Sequence, residues 1–302
     1  MFNYFLIHFL SFLFFRGGFF SEIDWPEKNY GEIVKISESQ YFSQKINQIY
    51  QPEISASSAV VMDVKKDIFI LEKNSDQVWP IASISKLMST LVIIEDFDLD
   101  LEEYYKIQET DRRLGGRDYL FIGDEVKNKD LLALSLIASD NTAVVALISS
   151  LGLNEDDFVK LMNEKSEELG LKNTRFKDAT GLSPYNVSTA KEVSFLIKRS
   201  FTNLEILSLV KEYNYKFSTK QGRAKNIYST NELLNSFSEN DELQIVGGKT
   251  GYNDLAGYCL GAKFVINDNQ EFISVVLNAS TLKNRFSDTK KLAQEIYNFY
   301  IN

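Results

Sequence analysis

The sequence predicts an α+β fold, with one sheet assembled from strands at both ends of the chain and a mostly helical subdomain between them. Three observations predict it. β-branched and aromatic runs open the body near Ile54, and helix-period patterns fill the middle third. Strand-like runs then return near the C-terminus, before one last helical pattern.

Taken in order, residues 1–20 (MFNYFLIHFLSFLFFRGGFF) form an apolar leader, expected to serve as an export signal or membrane anchor. The leader has no clear basic start or small-residue cleavage site, and its run before Arg16 is short for a membrane span. Residues 21–51 are polar and charged and read as a spacer, which leaves 52–302 as the folded domain. AVVMDVKKDIFILEKN predicts two strands around the turn Lys65-Lys66-Asp67. After Pro80, SISKLMSTLVIIEDF predicts an amphipathic helix entered at a serine. The acidic run EDFDLDLEEYY lacks the residue order and glycine of a calcium loop and reads as a solvated connection. KDLLALSLIA, NTAVVALISSLG and EDDFVKLMNEKSEELG have helical spacing. LQIVGGKTG, AGYCLGAKFVI and EFISVVLNAS predict three consecutive strands, the last two joined across Asn267-Asp268-Asn269. SDTKKLAQEIYNFYI closes the chain as a helix.

Composition narrows the chemistry. With 302 residues, 44% of them apolar, the chain buries a sizeable core, and 15 Gly and 4 Pro argue against disorder or a collagen-like repeat. A net charge of −9 argues against a nucleic-acid partner, which needs a basic face. The one histidine, His8, lies in the leader, so the body holds none for a Ser-His-Asp triad. One cysteine, Cys259, makes an internal disulfide impossible; lacking a histidine partner, it reads as a buried strand residue rather than a nucleophile. With so few His and Cys, a zinc hydrolase is also disfavoured, and no metal or cofactor is expected. Acyl transfer here therefore needs Ser or Thr with a lysine or carboxylate base.

Ser83-Ile84-Ser85-Lys86 meets that need, because the lysine lies one helical turn beyond the serine on the same face. A nearby cation and partial burial would lower the lysine pKa enough for it to act as base. The Ser-x-x-Lys pattern recurs from Ser188, Ser208, Ser280 and Ser287, so context must separate them. Ser83 opens a long apolar helix just after Pro80, where its backbone N–H can face a developing oxyanion, and Ser188 is its nearest rival. Ser-x-Asn is a common pattern that matches at Ser139 to Asn141 and elsewhere, as at Ser238. Lys249-Thr250-Gly251 occurs once, on a predicted strand after two glycines that admit a substrate backbone. The ordered set SISK, SDN, KTG is far more specific than any member alone.

That ordered set resembles the penicillin-recognising serine enzymes, and within them the D-alanyl-D-alanine carboxypeptidase family of low-molecular-mass penicillin-binding proteins. PIASISKLMSTLVI, IASDNTAVVAL, LMNEKSEELGLKNTRFKDATGL, STNELL, GGKTGYNDLAGYCLGAK and TLKNRFSDTKKL carry the likeness from about Ile54 to the C-terminus. It implies a β-lactamase/transpeptidase-like fold, an antiparallel sheet flanked by helices. It also implies that Ser83 attacks the carbonyl between two D-alanines in peptidoglycan stem peptides while Lys86 takes its proton. Ser139 and Lys249 would pass a proton to the departing D-alanine, and Asn141 would orient Lys86 and the substrate amide. Lys249 and Thr250 of the Lys249-Thr250-Gly251 triplet would hold the terminal carboxylate, with Arg285 a weaker candidate. The oxyanion would rest on the N–H groups of Ser83 and Tyr252. β-Lactam antibiotics would be covalent inhibitors, and the expected location is the cell envelope, with the leader as any membrane tether.

Departures from the family pattern bear on the choice of activity. Asn253 stands where the family often has threonine, and Ser-Asp-Asn is the form common in class A β-lactamases. The Glu-x-x-Leu-Asn loop those β-lactamases need has only Glu168 to Lys172, ELGLK, as its nearest match, so efficient β-lactamase activity is disfavoured. No C-terminal β-sandwich domain is expected. The leading expectation is thus a D-Ala-D-Ala carboxypeptidase. A DD-endopeptidase on the same site, a β-lactamase, and a non-catalytic wall-peptide binder are the alternatives.

Overall fold

In the computed structural model, residues 53–236 and 242–301 are described, so the leader, the spacer and Ser238 lie outside them. The first two strands, β1 (Ser58–Asp63) and β2 (Ile68–Lys73), form a hairpin at the predicted turn, and a short β3 (Trp79–Pro80) follows. A 3-10 turn, Ala82–Ile84, leads into α1 (Ser85–Asp96). Next come β4 (Tyr104–Lys106), β5 (Glu125–Lys127), α2 (Asn128–Leu136), α3 (Asn141–Ser150) and α4 (Glu155–Glu168). β6 (Val187–Ser188), α5 (Ala190–Ser200), α6 (Leu204–Val210), β7 (Asn214–Ser218) and β8 (Ala224–Tyr228) complete the middle. The chain then returns through β9 (Leu243–Asn253), β10 (Gly257–Ile266), β11 (Gln270–Ala279) and α7 (Leu282–Ile301).

The main sheet is antiparallel, in the order β2-β1-β11-β10-β9, so strands from both ends of the chain do meet in one sheet. Side chains alternate across it. Val60, Met62, Cys259, Ile273 and Val275 face one core, shared with α1–α5. Val61, Leu260, Ala262, Phe264 and Val276 face a second core, capped by Phe286, Leu292 and Ile296 of α7. Gly261 lets α5 press onto the first face, since a Cβ there would lie 2.2 Å from Ile197 Cδ1.

Three sequence expectations need correction. The helix after Pro80 is not amphipathic: Ser85 to Ile93 are all buried, and α1 runs through the centre of the helical subdomain. Its polar residues are satisfied internally, with Ser85 Oγ donating to Ala82 O (2.7 Å) and Ser89 Oγ to Ala179 O (2.6 Å), so burial on every side carries little penalty. It is not entered at a serine cap either, because the cap position is Ile84 and Ser83 sits in the 3-10 turn ahead of it. The last helix also starts at Leu282 rather than Ser287.

Candidate active site

Ser83 is placed by a crowded turn. Its neighbour Ala82 adopts φ +46°, a left-handed conformation uncommon for a residue with a side chain. Two glycines close around it. A Cβ on Gly181 would lie 2.0 Å from Ala82 O and 2.7 Å from Ser83 N, and one on Gly251 would lie 2.5 Å from Ile81 O. The third residue of the Lys-Thr-Gly triplet is therefore glycine because the nucleophile's turn packs directly against β9.

Lys86, one turn beyond Ser83 on α1, is completely buried. Its Nζ lies 3.0 Å from Ser83 Oγ, 2.7 Å from Asn141 Oδ1 and 2.6 Å from Thr180 O. Asn141, the first residue of α3, turns its oxygen to Lys86 because its Nδ2 donates to Gly115 O (3.0 Å). Burial lowers the Lys86 pKa to about 7, against the opposing pull of the Asp140 and Asp178 carboxylates. Desolvation, complete rather than partial, is the leading cause. Two of the three partners of Nζ are carbonyl oxygens that only accept. A neutral amine has two N–H groups and one lone pair, so its lone pair is left for the Ser83 hydroxyl proton.

Ser139 lies between α2 and α3 at φ +60°, and Lys249 Nζ donates to its Oγ at 2.8 Å. Lys249 is also fully buried, and its pKa is pushed well down by burial first, then by the charges of Lys86 and Arg285. Asp140 between the two motif residues caps α3 by accepting from Ala143 N (2.8 Å). Thr250 Oγ1 meets Thr230 Oγ1 at 2.6 Å. Behind the strand, the buried Arg285 reaches Gly251 O at 3.4 Å and lies over the Phe286 and Tyr258 rings. Tyr252 stacks on Tyr258 with ring centroids 4.5 Å apart and leaves half its surface exposed.

The structure therefore joins Ser83, Lys86 and Asn141 by hydrogen bonds and Ser139 and Lys249 by another, with the Lys86 charge felt at Lys249; Thr250 and Gly251 follow Lys249 on β9. It also separates the rival serines. Ser188 Oγ contacts Thr174 Oγ1 (2.7 Å), while Lys191 Nζ pairs with Glu72 and Asp76. Ser208 and Ser287 are exposed and bond within their own helices. Cys259 is a buried strand residue, as expected, with its thiol pKa raised to about 11 by burial. Sequence reasoning missed Thr230, Thr180 and Asp178. Their segments, STNELL and KDATGL, carry family likeness but no pattern of chemistry legible in residue types alone. The ELGLK glutamate, Glu168, ends α4 and pairs with Lys165 at 3.2 Å.

Serine, buried lysine and a second serine–lysine pair between an antiparallel sheet and a helical subdomain define the penicillin-recognising class of serine enzymes. Solved structures agree. The Streptomyces K15 DD-transpeptidase superposes with a TM-score of 0.76 at 26% identity, covering 83% of this chain and 99% of that one. Ampicillin-bound penicillin-binding protein D2 from Listeria monocytogenes does so with a TM-score of 0.70 at 31% identity, covering 81% and 98%. Residues 45–281 match the D-alanyl-D-alanine carboxypeptidase family, serine peptidase family S11, and the chain belongs to it. Among its relatives, the D-alanyl-D-alanine endopeptidase of Escherichia coli (strain K12) is 35% identical over 80% of this chain and 77% of its own length. The D-alanyl-D-alanine carboxypeptidase DacF of Bacillus subtilis (strain 168) is 32% identical over 81% of this chain and 63% of its own.

Proposed function

We propose that this chain is a peptidoglycan DD-peptidase that cuts after a D-alanyl carbonyl through a Ser83 acyl-enzyme. The observation that carries this reading is the fully buried Lys86 amine, with a pKa of about 7, lying 3.0 Å from Ser83 Oγ. Lys86 takes the hydroxyl proton as Ser83 attacks, and Asn141 orients both Lys86 and the substrate amide. The Ser83 and Tyr252 N–H groups hold the oxyanion. Ser139 and Lys249 help pass that proton on to the leaving amine, while Lys249, Thr250 and, less directly, Arg285 hold the carboxylate beside it. Water then releases the acyl group. β-Lactams acylate the same serine. We place the enzyme in the cell envelope, with residues 1–20 as its export signal or tether, 21–51 as spacer and 52–302 as the catalytic domain. Among the described residues no helix is long and apolar enough to cross a membrane.

The leaving group distinguishes two readings. Release of terminal D-alanine, the carboxypeptidase reaction, is the one the sequence motifs led us to expect. Hydrolysis of D-alanyl crosslinks is favoured by the relatives from E. coli and Pseudomonas aeruginosa, 35% and 34% identical, both named endopeptidases. We take crosslink hydrolysis as the principal activity and D-alanine release from the same site as the second. Incubation with a crosslinked muropeptide dimer and with a D-Ala-D-Ala-ended pentapeptide, resolved by mass spectrometry, tests the order. Faster conversion of dimer to monomers is the expected result. Faster loss of D-alanine from the pentapeptide would restore the carboxypeptidase reading, and neither product, with Ser83 still acylated by penicillin, would leave a binder.

A further inference from the structure

The contacts of Lys86 include one from a segment outside the three motifs, the carbonyl of Thr180. That segment has an unusual organiser. Asp178 Oδ1 accepts from Thr180 N (2.6 Å), Thr180 Oγ1 (2.7 Å), Gly181 N (2.6 Å) and Leu182 N (3.3 Å). Its Oδ2 accepts from Ser183 N at 2.5 Å. Four successive backbone N–H groups and a hydroxyl thus converge on one half-buried carboxylate, and the chain is wound into a turn around it.

The products of that turn are specific. Thr180 O faces Lys86 Nζ at 2.6 Å, and Gly181 lies against the backbone of Ala82 and Ser83 too closely for any side chain. Gly181 O accepts from Asn253 Nδ2 (3.4 Å), which ties the turn to the end of β9. The turn is also anchored from behind. Asn186, completely buried, donates to Asp178 O (2.9 Å) and to Ser85 Oγ (3.0 Å). Glu155 accepts from Ala179 N at 3.1 Å. The turn therefore touches the nucleophile, its base and the substrate strand at once, and Asp178 is the group around which it closes.

We propose that Asp178 is a positioning residue for acylation: its carboxylate shapes the 180–183 turn that holds Lys86 against Ser83 and seats the nucleophile's turn. It acts through Thr180 O, Gly181 and the field it places on Lys86. This inference rests on the Ser83–Lys86 reading above. An asparagine at 178 keeps the size but turns an NH2 group toward N–H donors, so the turn loses part of its closure. It also loses a negative charge that favours the Lys86 ammonium, and the base then titrates at lower pH.

The test measures the acylation rate by a fluorescent penicillin across pH for full-length wild type, Ser83→Ala and Asp178→Asn. A wild-type adduct absent from Ser83→Ala establishes the reading on which the inference rests; no wild-type adduct removes both. For folded Asp178→Asn, the expected result is acylation slower by about tenfold or more on the alkaline plateau, with the acid limb moved to lower pH. A plateau within about twofold of wild type, or an acid limb that stays in place, overturns the proposal. Should Asp178→Asn fail to fold, Thr180→Val decides, because it removes one of the five bonds and keeps the Thr180 carbonyl. A loss of about threefold or more in plateau rate of the folded protein then supports the proposal, and a smaller change overturns it.

Discussion

Complete burial of Lys86 has two consequences at the residue scale. Its amine loses the proton near pH 7, and it sits in contact with Ser83 when it does. The sign is direct: below pH 7 the ammonium form dominates and has no lone pair for the serine proton, and above pH 7 the neutral base dominates. Penicillin acylation of Ser83 is therefore expected to rise about tenfold per pH unit below 7 and to level off above it. Stopped-flow fluorescence over pH 5 to 9 checks this, and a flat profile contradicts it. Lys86→Arg keeps a cation that never deprotonates, so acylation of the folded protein is expected to fall by about 10²- to 10⁴-fold. The residue types at this site were legible because the three motifs lie in a fixed order. Asp178, Thr180 and Thr230 were not, because two act through turn geometry or a backbone carbonyl, and a Thr–Thr contact leaves no spacing signature.

Among elements, close approaches decide how the site is framed. Gly261 on β10 admits Ile197 of α5 to a separation that a side chain would occupy. Gly261→Val is therefore expected to push α5 off the sheet and cost about 1–3 kcal/mol, seen as a lower midpoint in chemical denaturation with little change in slope. The elements that the sequence specified well are those with one clear period, such as β9–β11 and α2–α4. α1 was misread as amphipathic because Ser85, Ser89 and Thr90 look like a polar face, yet in the fold all three are buried and two find carbonyl acceptors. The β7–β8 hairpin was missed for the opposite reason. Its strands bury only Phe217 and Ile227, so charged and polar residues hide the alternation.

Across the whole molecule, the sheet separates two cores: the turn and helix that carry Ser83 and Lys86 pack in the first, while Arg285 of α7, the helix that caps the second, reaches Gly251 O. Leu292 and Ile296 of α7 fill the second. Leu292→Ala is accordingly expected to cost about 2–5 kcal/mol and lower the melting temperature, while the folded fraction acylates at the wild-type rate. Thermal unfolding paired with penicillin labelling separates the two effects. A proportional loss of acylation in the folded protein would show that α7 shapes the site after all. This division was readable in outline, since strands at both termini imply one sheet with two faces. Which helices take which face depends on packing choices such as Gly261 that a single sequence does not display.

Intact-protein mass spectrometry after exposure to a fluorescent penicillin tests the central claim most directly, using wild type and Ser83→Ala. A single adduct on wild type, slowly released and absent from Ser83→Ala, is the predicted result. An unlabelled but folded wild type, or an adduct that persists in Ser83→Ala, would contradict the assignment of Ser83 as the nucleophile.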